Sequence, residues 1–518
     1  MGQAMYRPLL ILFAVAGATM ARPAYAHGFG ERYDLPVPLE YYLAGAGAVV
    51  ALSFVLIALF VGRTQGLNSY WRLNLLSYSP LAQIIDARLV TFSIKLGSVF
   101  IFLLIIATGI WGDQQPSSNF SPTFIWVIWW VGMGFFIALV GNVWALVNPW
   151  SIIYSWAIGL YRRLRPGGEF DLGYEYPDWL GVWPSFALFL GFAWLENSFP
   201  YSSEPRKIAM MVIAYSVITW GGMLLFGRHV WLRYGETFSL VFGFLARFAP
   251  TEVGVAHRDY CLSCDSNCTN DQDGCVNCYL CWEQASLAER EVNLRPYAVG
   301  LARKEGVTTD ILVFVILMLA TVTFDGFKAT PVWVDIQGGL YSTAFTLFSF
   351  NALPAINTLG LLLCPALFLF VYLFFSLLME WASGGEWSTL VLARSFVYSL
   401  IPIAIAYNFA HFFTLLAIQG QLIIPLASDP FGYGWDLLGT ANYKINIGFI
   451  NARFGWLLGV TAIVLGHVGA VYVSHMIALR NMNSPKTVLR SQYPMLALMV
   501  IYTVISLWII AQPIVERT

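Results

Sequence analysis

Long apolar runs alternate with short polar ones along most of the chain, and this pattern predicts ten membrane-spanning helices. They fall at about 39–62, 93–111, 123–147, 180–199, 207–228, 309–328, 358–381, 393–418, 453–479 and 494–515. Each comes near the roughly 20 apolar residues that a bilayer crossing needs. Two further segments, 236–249 and 340–352, are apolar but too short to cross, which predicts interfacial or re-entrant helices. The longest strongly polar stretch lies in the connection 229–308, between the fifth and sixth spans. The expected fold class is an all-α polytopic membrane protein. Its parts are a five-helix N-terminal half (27–228), a Cys-rich loop (229–308) and a five-helix C-terminal half (309–518).

Composition agrees with that pattern. Of 518 residues, 58% are hydrophobic and 11% are charged, whereas soluble domains carry roughly 25% charge. A net charge of −1 offers no basic surface for nucleic acid. The 20 Trp and 26 Tyr suit the two interfacial belts of a membrane protein. Residues 1–26 read as a secretory signal: Arg7, an apolar core at 9–21, and Ala24-Tyr25-Ala26 as the cleavage site. The mature chain then begins at His27, outside the membrane, in the periplasm if the source is a Gram-negative bacterium. His27 carries a weaker reading as a copper chelator through its amine and ring nitrogen. With that start, 19 Lys and Arg fall in cytoplasmic loops against seven outside (Arg32, Arg206, Lys207, Lys328, Lys444, Arg453, Arg517). The asymmetry predicts a bacterial inner-membrane protein with both termini periplasmic.

Six of the seven cysteines lie within 261–281, spaced C-x2-C-x3-C-x6-C-x2-C-x2-C: Cys261, Cys264, Cys268, Cys275, Cys278 and Cys281. The topology puts them in the reducing cytoplasm, where structural disulfides are disfavoured. Thiolate ligation of metal is the leading reading. The C-x2-C pairs suit zinc, and the tighter Cys275–Cys278–Cys281 run suits part of an iron–sulfur ligand set. The spacing does not choose between them. Cys364, alone in the seventh span, reads as a small core hydrophobe.

Ionisable residues within spans are costly and mark functional sites. The eighth span carries Tyr407, Asn408, His411 and Thr414 on one face. Asp325 and Glu196 lie near the outer ends of the sixth and fourth spans, at a depth similar to His411. His467, in the ninth span, is somewhat deeper and follows Gly466 in the small-residue stripe Ala462-x3-Gly466-x3-Ala470. His475, two helical turns further along, is too far to share a metal with it. An outward-opening pocket follows, with Asp325, His411 and Glu196 as catalytic candidates and His411, His467 and Asp325 as ligands for zinc or a similar divalent metal. The plainer reading is that each group hydrogen-bonds across helices as glue. Glu380 and Glu386 read as solvated residues at the inner interface.

The mature start HGFGERYDLPVPLEYYLAGAGAVVALSFV, with FDGFKATPVW (324–333), YNFAHFFTLL (407–416) and GHVGAVYVSH (466–475), resembles the bacterial membrane proteins described as fenitrothion hydrolases. The likeness covers most of the mature chain. It implies hydrolysis of an organophosphorus triester with release of a nitrophenol, and a lipophilic substrate drawn from the bilayer. It assigns no catalytic residue, and the cysteine-rich loop is not a feature of that whole family. Two other classes stay open on the residues. One is a membrane redox protein with an Fe–S or zinc centre in the loop. The other is a proton- or metal-coupled transporter using Asp325 and His411. Expected partners are membrane lipid and a lipophilic small molecule, with a second membrane subunit left open.

Overall fold

The computed structural model describes residues 35–61, 70–168, 170–256, 269–270, 274–303, 306–482 and 484–514. The expected signal segment 1–26, His27 and the residues Cys261, Cys264 and Cys268 lie outside that set. The chain is an all-α, multi-pass membrane protein. Among the described residues, ten helical segments are long and apolar enough to cross a bilayer: Leu39–Phe60, Arg88–Trp111, Phe120–Leu139, Asp178–Asn197, Pro205–Phe226, Thr309–Lys328, Pro331–Ala382, Thr389–Ser428, Ala452–Asn481 and Pro485–Gln512. They are called spans one to ten below. Most present a large share of their apolar surface outward, as helices solvated by lipid do. Spans six and eight differ: 67% of each apolar window is buried inside the protein. They form the centre of the bundle, where polar side chains are sheltered from lipid.

Neighbours in the bundle are not simply neighbours in sequence. Span one packs on spans nine and ten, so the two halves interlock. Spans eight and nine make the most extensive helix pair. Gly466 explains how they approach so closely. A Cβ built on it would lie 2.2 Å from the Ala406 Cβ and 2.8 Å from the Pro402 carbonyl oxygen, so a side chain there would drive the helices apart.

Three expectations change. The segment expected as an interfacial or re-entrant helix at 236–249 is a helix, Thr237–Phe248, buried in the bundle through Phe238, Val241, Phe242 and Phe244. The fully buried Glu236 starts it, accepting from the backbone N–H of Phe238 at 3.1 Å and of Ser239 at 2.8 Å. A carboxylate there satisfies two of the free N–H groups at the helix start. The segment expected at 340–352 belongs to a longer helix, Pro331–Phe348, which folds back on Ala352–Ala382 after Ser349 takes φ 52°. Gln337 and Trp333 both donate to Asn357 Oδ1, at 2.8 and 3.2 Å, and hold the pair together. The polar residues Asp335 and Gln337 had broken the apolar run. Glu380 is not merely solvated: its Oε2 accepts from the Thr389 N–H at 2.6 Å and so joins span seven to the start of span eight.

A small antiparallel sheet stands outside the membrane helices. Its order is β1 (Leu73–Asn74), β5 (Arg290–Leu294), β2 (Thr251–Val255), β4 (Gly274–Val276), β3 (Thr269–Asn270). The described residues of the Cys-rich loop, 269–270 and 274–294, thus belong to a sheet platform between β2 and β5. Under it, Glu252 and Arg295 pair with both side chains fully buried.

Candidate functional site

The sixth span ends in Phe-Asp-Gly-Phe-Lys (324–328), which sets Asp325 and Lys328 one turn apart at the bundle centre. Asp325 Oδ1 lies 3.1 Å from Lys328 Nζ. Its Oδ2 lies 2.8 Å from His411 Nε2 on span eight. Lys328 also donates to Asn197 Oδ1 at 3.0 Å, tying span four to span six, where a snorkelling lysine would have reached for the interface. Beside Asn197, Glu196 Oε1 accepts from Trp130 Nε1 at 2.9 Å. Trp130 sits in a run of wide π-helical turns, Phe124–Met133, within span three. Such widened turns recur at functional sites because they displace side chains from regular helical spacing.

Glu196, Asp325, Thr321 and Asn408 line one cavity of about 60 Å³, together with Trp130 and Phe412. That is room for a few water molecules. Asp325 and Lys328 keep 18% and 26% of their side chains exposed. Three of the expected site residues, Glu196, Asp325 and His411, therefore do come together from three spans. Sequence reasoning missed Trp130, which nothing separates from its neighbours in the run Ile-Trp-Val-Ile-Trp-Trp (125–130).

His467 is not brought to that site. It is fully buried and its Nδ1–H donates to the Ile463 carbonyl one turn back at 2.8 Å, with its ring beside Tyr502. His475 is separate again, between Gln492 Oε1 at 3.2 Å and the Val61 carbonyl at 3.1 Å. The expected metal set of Asp325, His411 and His467 is thus not assembled. Asp325 finds its counter-charge in a lysine ammonium, which a divalent ion at the same carboxylate would have to face.

The charges allow a simple count. Two carboxylates and one ammonium leave the cluster at −1 while His411 is neutral. A carboxylate hydrogen-bonded to an imidazole is the kind of pair that passes protons.

A second chamber, of about 750 Å³, lies among spans two to five and the helix Thr237–Phe248. Phe102, Trp129, Trp150 and Phe192 contribute to its wall, and no Asp, Glu, Lys, Arg or His lines it among the described residues. Span four separates the two spaces: Gly191, Trp194 and Leu195 face the large one and Glu196 the small one.

On the sheet platform, Cys275 lies in β4, Cys278 just ahead of the helix Tyr279–Gln284, and Cys281 within it. Cys281 is fully buried against Val255 and Ala285. His229, expected as an ordinary loop residue, sits on the helix Arg228–Tyr234 with Nε2 3.5 Å from Glu283. Burial and the adjacent Arg228 hold its imidazole below the usual range. Among the described residues no three His, Cys, Asp or Glu side chains form a metal-binding group. Half of the cysteine set lies outside those residues.

No family model, curated protein or solved structure matches the chain.

Proposed function

We propose that this protein moves protons in a proton-coupled membrane transport reaction, with Asp325, His411, Lys328 and Glu196 as the exchange centre. One observation carries the reading: Glu196 and Asp325, from two spans, line one cavity of about 60 Å³ in the bundle, and His411 from a third span contacts the Asp325 carboxylate. Intramembrane carboxylate and histidine chains mark proton and ion pathways. The cavity matches water or a small cation, whereas pockets for drug-sized ligands run to about 300–1,000 Å³. Purified protein in liposomes should acidify or alkalinise the lumen when a pH gradient is applied, read with an entrapped pH dye. Lumenal pH that tracks empty liposomes rejects the reading.

Hydrolysis of an organophosphorus triester is the second reading, favoured by the His411–Asp325 contact, which suits a general base acting on water. The chamber of triester size carries no such base in its wall and is separated from Glu196 by span four. Nitrophenol release by the purified protein, lost in His411→Ala, decides for hydrolysis.

The proposed location is a bacterial inner membrane with both termini periplasmic. Reporter fusions after residue 290 should score cytoplasmic and those after residue 435 periplasmic. The reverse result at either point overturns the orientation and, with it, the reducing environment of the cysteines.

The Cys-rich excursion is proposed to bind zinc or an iron–sulfur cluster through thiolates. Cys275, Cys278 and Cys281 follow one another on a strand, a turn and a short helix, which keeps them close in the fold. Replacing all three by Ser should remove zinc or iron from the purified protein, measured by elemental analysis. Unchanged metal content counts against the site.

A further inference from the structure

Beyond the Asp325–His411 pair, the core between spans six, eight, nine and ten holds polar side chains that the exchange centre does not use. Tyr407 is fully buried, and its hydroxyl has no partner within the protein. His467 is fully buried, and its Nε2 has no protein partner either. A buried polar atom without a hydrogen bond is strongly disfavoured, and a single one is an accident of packing. Two in one core, Tyr407 Oη and His467 Nε2, point to bridging water, which satisfies such groups in protein interiors.

Their order along span six turns the cluster into a path. Asp325 meets His411. The next residue, Gly326, is where the Tyr407 hydroxyl docks: a Cβ built there would lie 2.2 Å from Tyr407 Oη, so only glycine leaves it room. One turn inward, Thr323 Oγ1 contacts the Tyr502 hydroxyl. Thr323 donates its own hydrogen to the Leu319 carbonyl at 2.7 Å, so Tyr502 is the donor to Thr323. The Tyr502 ring then lies 5.8 Å from that of His467, centroid to centroid, and the Tyr407 ring stacks 6.0 Å from that of His411. With Nδ1–H on the Ile463 carbonyl, His467 keeps its Nε2 lone pair for an incoming proton.

We propose that Tyr407, Tyr502 and His467, joined by water, form an inward branch of the proton path that begins at His411 and Asp325. This rests on the proton-transfer reading above. In each hop a hydroxyl or water oxygen accepts one proton on a lone pair and gives up another, so none accumulates on the way. His467 takes the proton at Nε2 and releases it from the same nitrogen to the next water inward, while its Nδ1–H bond to Ile463 stays in place.

The test is proton flux through the full-length protein in liposomes. Tyr407→Phe and His467→Gln should each lower flux at least about tenfold, with the same melting temperature as the parent. Tyr407→Phe deletes one oxygen that no protein group holds, so a folding defect is not expected of it. Gly326→Ala, which pushes the Tyr407 hydroxyl aside, should lower flux in the same direction. Parental flux in both Tyr407→Phe and His467→Gln, alongside loss of flux in Asp325→Asn, overturns the branch and leaves the exchange centre standing. A parental protein that conducts no protons overturns the exchange centre, and the branch with it.

Discussion

Asp325→Asn should reduce proton flux by roughly 100-fold or more, within the range that acid–base groups contribute to proton transfer. The amide keeps the size of the carboxylate, and its oxygen can still accept from His411 Nε2, now at 2.8 Å from Asp325 Oδ2. What it removes is the negative charge that stabilises a protonated His411 and balances Lys328. Without it, a proton arriving at His411 would add a second positive charge beside an ammonium in a poorly solvated site, and uptake stops. Lys328 would keep only Asn197, at 3.0 Å, so the variant should also lose some stability. Asp325→Asn combined with Lys328→Met separates the two effects, because it removes the stranded cation but restores no proton acceptor. The double variant should recover melting temperature and not flux. Recovery of flux in that double variant would falsify the role given to the Asp325 carboxylate. His411→Gln should reproduce the flux loss, since glutamine can hydrogen-bond to Asp325 but does not titrate.

Much of the centre was legible because the bilayer makes intramembrane charge rare. Glu196, Asp325 and His411 stood out against long apolar runs, and a shared depth was enough to group them. His467 stood out in the same way and was expected as a ligand beside them, whereas its Nδ1–H donates to the Ile463 carbonyl. Depth is readable from position along a span, but direction around the bundle depends on which helices pack, and span nine turns this imidazole toward Tyr502. The partner of Lys328 is hidden from the sequence for a related reason. A lysine near a span end can reach the interface, and the presence of Asn197 from another span decides that it does not. The buried helix at Thr237–Phe248 shows the limit of length as a criterion: twelve residues cannot cross a membrane but can fill its protein interior. The sheet escaped because its strands are two to five residues long and pair across wide sequence separations, as Leu73 does with Leu294. No local alternation of that length rises above chance.

The largest loss of stability is expected at that sheet, from Arg295→Met. The Arg295 guanidinium and the Glu252 carboxylate are both fully buried, with Nη1 on Oε2. Arg295 also donates to three backbone carbonyls, those of Ala249 and, through Nη2, of Ala246 and Arg247, each at 3.1 Å. It therefore pins the end of the helix Thr237–Phe248 to the residue that follows β5. Glu252 has further partners in Arg72 Nε and the Tyr70 hydroxyl, both at 2.7 Å. Methionine fills most of the arginine's volume but satisfies none of these groups. It removes a donor from three carbonyls, of which Ala246 keeps the Ala249 N–H, and weakens the neutralisation of a buried carboxylate, at a cost of about 3–5 kcal/mol. The reverse change, Glu252→Gln, keeps every carbonyl bond of Arg295 and should cost less. Thermal unfolding in detergent, with limited proteolysis at the 257–275 segment, reads the difference. Arg295→Met should melt lower than Glu252→Gln and be cut sooner at the cysteine excursion, since β2 and β5 carry it. Equal melting temperatures for the two variants would mean that the ion pair alone, and not the carbonyl bonds, holds the platform to the membrane bundle.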